Sequence, residues 1–254
     1  MKKKYPILEF DESEKAVISP VNFIKPVPAP ENCVICFFQE VIDDLRRNEG
    51  ARVITVHKEE AGEHPLYEVT VKGKRLAVFH PGVGAPLAAA LLEEIIVHGC
   101  SKIIACGGAG VLDRKIASGK IMVPSEAIRD EGTSYHYLPP GREVSASPEA
   151  VEAIVTVLRE HGCDFLLTKT WTTDAPYRET PSKVKLRREE GCLAVDMEAA
   201  AFFAVAKFRG VKFGSVFYAG DDVSGAEWDR RIWGKQHSIR RELFWLAAEA
   251  CLKL

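Results

Sequence analysis

The sequence contains 254 residues, 46% of them hydrophobic and 28% charged, a balance that excludes a disordered or fibrous protein. The formal net charge of -2 gives no electrostatic reason to expect nucleic acid or an acidic membrane surface as a partner. Seven cysteines, an odd number spread along the chain, argue against a disulfide framework and are expected to be free thiols. The chain contains neither a signal-peptide pattern nor an apolar run of about 18 residues, so we expect a cytoplasmic protein without a membrane partner.

Residues 1–31 are predicted to form an irregular arm, because SPVNFIKPVPAPEN contains too much proline for a helix or a central strand. From residue 32 onward, short β-rich segments alternate with segments of helical spacing. The predicted strands are, in chain order, CVICFF, ARVITVH, LYEVTV, RLAVFHPG, SKIIACGG, KIMVPSEAI, DFLLTKTWT and KFGSVFYAG. The predicted helices are PLAAALLEEIIVHG, SPEAVEAIVTVLREHG, SKVKLRREEG, VDMEAAAFFAVAKFRG and QHSIRRELFWLAAEACLKL.

This alternation of strands and helices predicts the fold class. It favours an α/β protein in which a mostly parallel sheet carries helices on both faces, as one domain over residues 32–254. Ligands of such sheets bind beyond the carboxyl ends of the strands. The loops that follow the strands are therefore the candidate functional site.

Two glycine-rich turns follow predicted strands. HPGVGAP places Gly82 and Gly84 between a strand and a helix, where glycine allows close backbone approach and a helix N-terminus can bind an anion. IIACGGAG supplies Gly107 and Gly108 after the next strand. Each segment alone is at least as well explained as a tight turn, and Leu87 in place of a third glycine argues against a dinucleotide-binding fingerprint.

Acidic side chains stand out in two apolar segments. In AVDMEAAAFFAV, taken as a helix, Asp196 and Glu198 would point to different faces, and Asp196 could cap the helix. Glu198 lies among alanines and phenylalanines, where it loses hydration unless a polar partner such as a sugar hydroxyl meets it. FYAGDDVSG ends a strand in Asp221 and Asp222, and an acid there could be a general acid, a helix cap or part of a polar loop.

Two polar loops offer candidate contacts to a planar base. WTTDAPYRET contains Tyr177 and Arg178, and IRDEGTSYHYLPP groups Arg129 with serine, histidine and two tyrosines. Such mixtures of polar and aromatic groups suit either base recognition or a subunit contact. Taken alone, each segment is better interpreted as a solvated loop.

Taken in order, these segments resemble the nucleoside phosphorylase superfamily, of the uridine and purine nucleoside phosphorylase type, over roughly residues 33–250. HPGVGAP is similar to the family's phosphate loop, IIACGGAG to its strand-turn motif, and residues 197–200 to its MExA ribose motif. The acid of the family's Ser-Asp pair falls on Asp221. The resemblance implies a single-domain, three-layer sandwich whose mixed, mostly parallel sheet closes partly into a barrel. It also implies a homo-oligomer, either a dimer or a hexamer of dimers.

The resemblance implies roles for individual residues. Glu198 would accept hydrogen bonds from the ribose hydroxyls, Met197 would pack against the sugar, and Asp196 would assist or cap. Asp221 would protonate the departing base or hydrogen-bond to it. The implied anion loop is Gly82, Val83 and Gly84, and the implied base contacts are Gly107, Gly108, Tyr177, Arg178 and Asp221. The implied activity is release of the base from a uridine- or purine-type ribonucleoside by phosphorolysis, with orthophosphate as co-substrate and without a metal or cofactor.

The chain departs from this family pattern at the phosphate site. Ala105 and Gly108 stand where family phosphorylases carry an arginine and a threonine or serine, and the GDPxR motif is absent. Arg129, Lys58 or a neighbouring subunit would have to supply the missing positive charge. FFQEV is similar to the MEEEV segment of the hydrolytic nucleosidases, which makes Glu40 a candidate for activating water. The alternatives are therefore a hydrolytic nucleosidase or a non-catalytic protein that binds a nucleoside or base.

Overall fold

Alternating apolar segments build a ten-stranded mixed sheet, described over residues 2–60, 62–232 and 236–254 in a computed structural model. The strands are β1 Asn32–Cys36, β2 Arg52–Glu59, β3 Gly62–Val71, β4 Lys74–Phe79, β5 Lys102–Val111, β6 Ile121–Asp130, β7 Glu143–Ser145, β8 Phe165–Thr173, β9 Cys192–Asp196 and β10 Lys212–Asp222. The helices are α1 Gln39–Asn48, α2 Ala85–Val97, α3 Pro148–Glu160, α4 Pro181–Glu189, α5 Ala199–Arg209 and α6 His237–Cys251. Before β1, the chain forms two 3-10 turns, Pro6–Leu8 and Pro20–Asn22.

Five of these strands close into a barrel. Their order is β10, β6, β8, β9 and β5, and the ring closes because β5 pairs with β10 as well as with β9. β1, β4, β3 and β2 continue the sheet from β5. The sheet contains both parallel and antiparallel pairs. β1 is parallel to β4 and β5, whereas β3 is antiparallel to β2 and β4. The predicted mixed and partly barrel-like sheet is therefore confirmed.

Helices cover both faces of the sheet. On one face, α2 and α5 pack together over a core that contains Leu92, Phe202 and Phe213. On the other face, α1, α3 and α6 cover a second core that contains Leu45 and Phe244. This arrangement confirms the predicted three-layer sandwich. Among the helices of the described ranges, none is both long enough and apolar enough to span a bilayer.

The eight predicted strands and the five predicted helices are present with shifted bounds, whereas α1, β7 and β9 were not predicted. One helix prediction is wrong at its start. The predicted helix starts at Val195, but Val195 and Asp196 end β9 and α5 begins at Ala199. This correction places the acids of AVDMEAAAFFAV at a strand-to-helix turn, which is where an α/β sheet presents ligand-binding groups.

Candidate active site

A cavity of about 790 Å³ lies at the rim of the barrel. It is bordered by the second half of β5, the carboxyl ends of β9 and β10, and the loops that follow β1, β8 and β10. Among the predicted site residues, those on its wall are Val83, Gly107, Gly108, Tyr177, Asp196, Met197, Glu198 and Asp221. The fold thus brings together segments that are far apart in the sequence at the edge where a ligand is expected.

The turn from β9 to α5 is fixed by Asp196. Its Oδ2 accepts a hydrogen bond from the Ala199 amide at 2.8 Å, and its Oδ1 accepts one from the Thr172 hydroxyl at 2.7 Å. The Thr172 oxygen in turn accepts the Ala200 amide at 3.0 Å. Asp196 therefore satisfies the free amides at the start of α5, as its predicted capping role requires. Because the two acids lie on a turn rather than on a helix, Asp196 and Glu198 face the same cavity.

Glu198 is a buried carboxyl group on the cavity wall, with 8% of its surface exposed. Its Oε1 accepts a hydrogen bond from the Gly84 amide at 2.6 Å. Burial, and then the negative charge of Asp196, raise the pKa of Glu198 to about 8. Burial also raises the pKa of Asp196 to about 6. A carboxylate has about four lone-pair positions, so Glu198 can accept further hydrogen bonds from hydroxyl groups of a ligand.

The raised pKa of Glu198 predicts that stability falls as the pH rises. Between its ordinary pKa of 4.5 and its folded value of about 8, the native state holds a proton that the unfolded state has released. We therefore expect Glu198→Gln to gain stability relative to the unaltered protein by up to about 5 kcal/mol between pH 5 and pH 8.5. Urea unfolding at three pH values measures this difference, and the exposed Glu152→Gln serves as control. A difference that does not change with pH would contradict the assignment.

The side chain of Asp221, near the end of β10, is held in place by an indole. Its Oδ2 accepts the Trp228 Nε1–H at 2.6 Å. Gly110 has to be glycine here, because a Cβ at that position would lie 2.9 Å from Val195 Cγ1 and 3.4 Å from Asp221 Oδ1. The neighbouring Asp222 is buried and accepts the Ser224 amide at 2.8 Å. Of the two adjacent acids, Asp221 borders the cavity and Asp222 stabilises the loop after β10.

The two glycine amides of the loop before α2 donate to groups within the chain. The Gly82 amide donates to His80 Nδ1 at 3.1 Å, and the Gly84 amide donates to Glu198. Neither glycine borders the cavity, although Val83 between them does. Both glycines have positive φ, 72° and 96°, so their main role is to turn the chain into α2. The anion loop of Gly82, Val83 and Gly84 stays a prediction: the amides of both glycines have partners within the chain, and Val83 is the member that borders the cavity.

Arg240 supplies positive charge that no motif had indicated. It projects from α6 to the cavity wall, where its guanidinium lies over the rings of Phe38 and Tyr218, 5.4 Å and 5.7 Å from their centroids. Its Nε donates to the Tyr218 hydroxyl at 3.0 Å and its Nη1 to Glu40 Oε1 at 2.7 Å. Ala105 is buried in the core. The positive charge at this cavity therefore comes from Arg240 on α6 and Arg230 in the loop after β10, and not from β5.

Glu40 lies in the first turn of α1, behind Arg240 and off the cavity wall. Burial by itself raises the pKa of Glu40, but the hydrogen bond and charge of Arg240, with a contribution from His237, hold that pKa below its ordinary value. A carboxylate with a lowered pKa is a weaker base. This environment does not favour Glu40 as the group that activates water.

The remaining predicted contacts divide between the cavity and the surface. Tyr177 borders the cavity although its side chain is 99% exposed, whereas Arg178 is exposed and does not border it. Sequence analysis did not identify Glu179, which does border the cavity. Arg129 donates to Ser134, Leu138 and Pro139 and thus holds its own loop together. Within the described ranges, no cluster of three or more His, Cys, Asp or Glu side chains could hold a metal ion.

Part of the chain is similar in sequence to a known phosphorylase. Guanosine phosphorylase of Halorubrum lacusprofundi is 28% identical over 156 residues, which cover 61% of this chain and 64% of that protein. The match therefore spans slightly less than two-thirds of that relative's length.

Solved structures share the fold over nearly the whole chain. Purine nucleoside phosphorylase of Toxoplasma gondii superposes with a TM-score of 0.78 at 20% identity, covering 89% of this chain and 92% of that chain. AMP nucleosidase of Bacteroides thetaiotaomicron gives 0.69 at 20% identity, covering 89% and 88%. The family model described as the Phosphorylase superfamily matches residues 32–243, most of the chain. The chain therefore belongs to the phosphorylase superfamily.

Proposed function

We propose that this chain cleaves the N-glycosidic bond of a uridine- or purine-type ribonucleoside and releases the free base, with orthophosphate as the nucleophile. The observation that carries the proposal is Glu198, a buried carboxyl group on the cavity wall that the Gly84 amide holds at 2.6 Å. The hydroxyls of a pentose are donors that can replace its lost hydration. The names of two relatives, guanosine phosphorylase and purine nucleoside phosphorylase, support the same substrate class.

The proposed reaction passes through an oxocarbenium-like state at the ribose. Hydrogen bonds that the ribose hydroxyls donate to Glu198 favour its ionised form in the complex. The carboxylate then places negative charge near the developing positive charge. The C1′–N bond breaks with its electron pair going to the base, where Asp221 donates a proton or hydrogen bond. A phosphate oxygen forms the new bond to C1′. In this proposal Met197, on the cavity wall, packs against the sugar, and Asp196 holds the turn that carries Glu198.

Arg240 favours phosphate over water as the nucleophile. Its guanidinium is on the cavity wall, and charge-assisted hydrogen bonds from arginine are strong for phosphate oxygens. Glu40, the group that would activate water, is ion-paired to Arg240 at 2.7 Å and lies off the wall. These contacts support phosphorolysis, and they leave hydrolysis as the alternative to be tested.

Product analysis tests the proposed reaction. The chain is incubated with a panel of uridine, adenosine, guanosine and inosine, with and without orthophosphate. Phosphorolysis yields ribose 1-phosphate and free base only when phosphate is present. Free ribose in its absence would indicate hydrolysis, and saturable binding without any released base would indicate a non-catalytic homologue.

Glu40→Gln separates the two nucleophiles. In phosphorolysis we expect kcat to stay within about threefold and KM for phosphate to fall, because Arg240 loses a competing carboxylate. If Glu40 activates water, release of ribose should fall by about 10²- to 10⁴-fold instead. Initial rates against phosphate concentration measure both quantities. The control is Glu49→Gln, which removes another ion pair to α6, between Arg241 and the residue that follows α1, outside the cavity.

We further propose that the chain acts as a homo-oligomer, a dimer or a hexamer of dimers, in the cytoplasm. Exposed apolar side chains of the N-terminal segment, Ile18, Val21 and Phe23 among them, support a subunit contact. The seven cysteines are free, which suits a reducing compartment. Sedimentation velocity measures the oligomeric state, and a single species of 28.1 kDa, the mass of one chain, would exclude a homo-oligomer.

A further inference from the structure

His80 is a half-buried histidine that has no role in the reaction proposed above. It follows β4 and begins the glycine loop that leads into α2. Its ring lies beside that of Phe37, a residue of the cavity wall, with the two centroids 6.1 Å apart. Its Nδ1 accepts the Gly82 amide at 3.1 Å. The ring therefore ties the start of the loop to the end of β4.

The loop that His80 holds contains two glycines in a conformation that few other residues adopt. Gly82 and Gly84 have φ of 72° and 96°, and glycine loses more conformational freedom on ordering than any other residue. A stiffer residue cannot replace Gly82, because a Cβ there would clash with the Leu87 side chain. Pro81 has no backbone N–H, so the Gly82 amide is the first one after His80 that the ring can hold. The acceptor at position 80 thus supplies order that the glycines themselves do not.

The far end of the same loop holds the carboxyl group to which the proposed function assigns the ribose. Two residues after Gly82, the Gly84 amide donates to Glu198 Oε1 at 2.6 Å. A displacement of about 1 Å at a reacting group can cost about 10²-fold in rate. The position of Gly82 therefore affects the position of Glu198.

His80 can accept the Gly82 amide only while its ring is neutral, because an imidazolium has two donors and no acceptor. Burial lowers the pKa of His80 below its ordinary value of 6.5, against the effect of a hydrogen bond to the Phe37 backbone. The ring is therefore neutral at pH 7. In that state Nδ1 is the acceptor and Nε2 carries the hydrogen.

We propose that His80 is a positioning residue, whose Nδ1 orders the glycine loop so that the Gly84 amide holds the Glu198 carboxyl group toward the ribose. The proposal rests on the proposed function. His80 acts through Gly82 and Gly84 and does not touch the substrate. A bond from a side chain to the amide two residues further on is the geometry of an Asx turn, which asparagine forms with its side-chain oxygen. Asparagine at position 80 should therefore replace the histidine.

His80→Asn and His80→Gln test the proposal, because they place the same amide group at two distances from the main chain. His80→Asn can still accept the Gly82 amide, so kcat/KM for nucleoside cleavage should stay within about threefold of that of the unaltered protein. His80→Gln carries its amide one methylene too far for this turn, and we expect kcat/KM to fall by about 10- to 100-fold. In a protein that already carries Glu198→Ala, His80→Gln should cost less than about twofold, because no carboxyl group remains to be held.

His161→Ala is the control for these variants. His161 is an exposed histidine that follows α3 and pairs with Glu249, outside the cavity. Its loss should leave kcat/KM unchanged. Three outcomes would overturn the proposal and leave the proposed function intact. They are a near-normal kcat/KM in His80→Gln, an equal loss in His80→Asn, and an undiminished loss when Glu198→Ala is present.

A second measurement does not depend on turnover. Carbon-13 NMR follows the titration of the Glu198 carboxyl group, whose signal is identified by its absence in Glu198→Gln. The Gly84 hydrogen bond lowers the pKa of Glu198, so its loss in His80→Gln should raise that pKa by about one pH unit. His80→Asn should leave it unchanged. If no nucleoside is cleaved, the proposed function fails separately, and an identical Glu198 titration in all three proteins would overturn the role of His80.

Discussion

We expect Glu198→Gln to lower kcat/KM for nucleoside cleavage by about 10²- to 10³-fold, the usual cost of removing one preorganised electrostatic group. The carboxylate is on the cavity wall, and its negative charge can stabilise the positive charge of an oxocarbenium-like ribose. Glutamine keeps the size of the side chain, and its amide oxygen can still accept the Gly84 amide. The loss should therefore reflect charge rather than folding. Steady-state kinetics with a cleaved nucleoside measure it.

Glu152→Gln is the matched control for this variant. Glu152 is an exposed acid on α3, away from the cavity, so its neutralisation should leave kcat/KM unchanged. Binding of the free base should be nearly the same in all three proteins, because Glu198 is assigned to the sugar. A near-normal kcat/KM in Glu198→Gln would contradict the assignment of Glu198 to the ribose site.

The second large effect is expected from Asp221→Asn. Loss of a general acid costs about 10²- to 10⁴-fold, and asparagine cannot protonate a departing purine. A nucleoside methylated at N7 carries a positively charged base that leaves without a proton. We therefore expect Asp221→Asn to slow purine nucleosides strongly and to spare their N7-methylated analogues. Single-turnover rates for the two substrate types give the comparison.

Asp222→Asn is the control for this result. Asp222 is buried, accepts the Ser224 amide and pairs with Arg231, so its loss should lower stability. Its effect on rate should be the same for methylated and unmethylated substrates. If Asp221→Asn also slows both substrates equally, Asp221 does not protonate the base.

The strands of the fold could be predicted because most of them are apolar runs bounded by clear turn signals. RLAVFHPG and KFGSVFYAG each end in a glycine within three residues of a strand end, and β4 and β10 are found there. β9 was missed because CLAVD is short and runs into the alanine-rich start of α5 with no glycine or proline between them. Short apolar segments do not distinguish strand from helix by periodicity.

The candidate site was predicted only where its residues belong to continuous motifs. Glu198 and Asp221 could be singled out because each is an acid in an otherwise apolar segment. Arg240 could not, because a single arginine on the polar side of a predicted helix is ordinary. Its role depends on Phe38 and Tyr218, which are brought to it by β1 and β10. Contacts of this kind depend on tertiary packing and leave no local signal in the sequence.

The closed ring of strands affects how fast enzymatic activity recovers during refolding. Gly84 and Glu198 are 114 positions apart, and β5 reaches β10 with Lys102 opposite Lys212. Such pairings require large loops to be closed first, and proteins dominated by them fold slowly. On dilution from denaturant, helical circular dichroism should therefore recover ahead of turnover. A fragment that stops before β9 would contain most of the strands but neither Glu198 nor Asp221, so we expect it to have no activity.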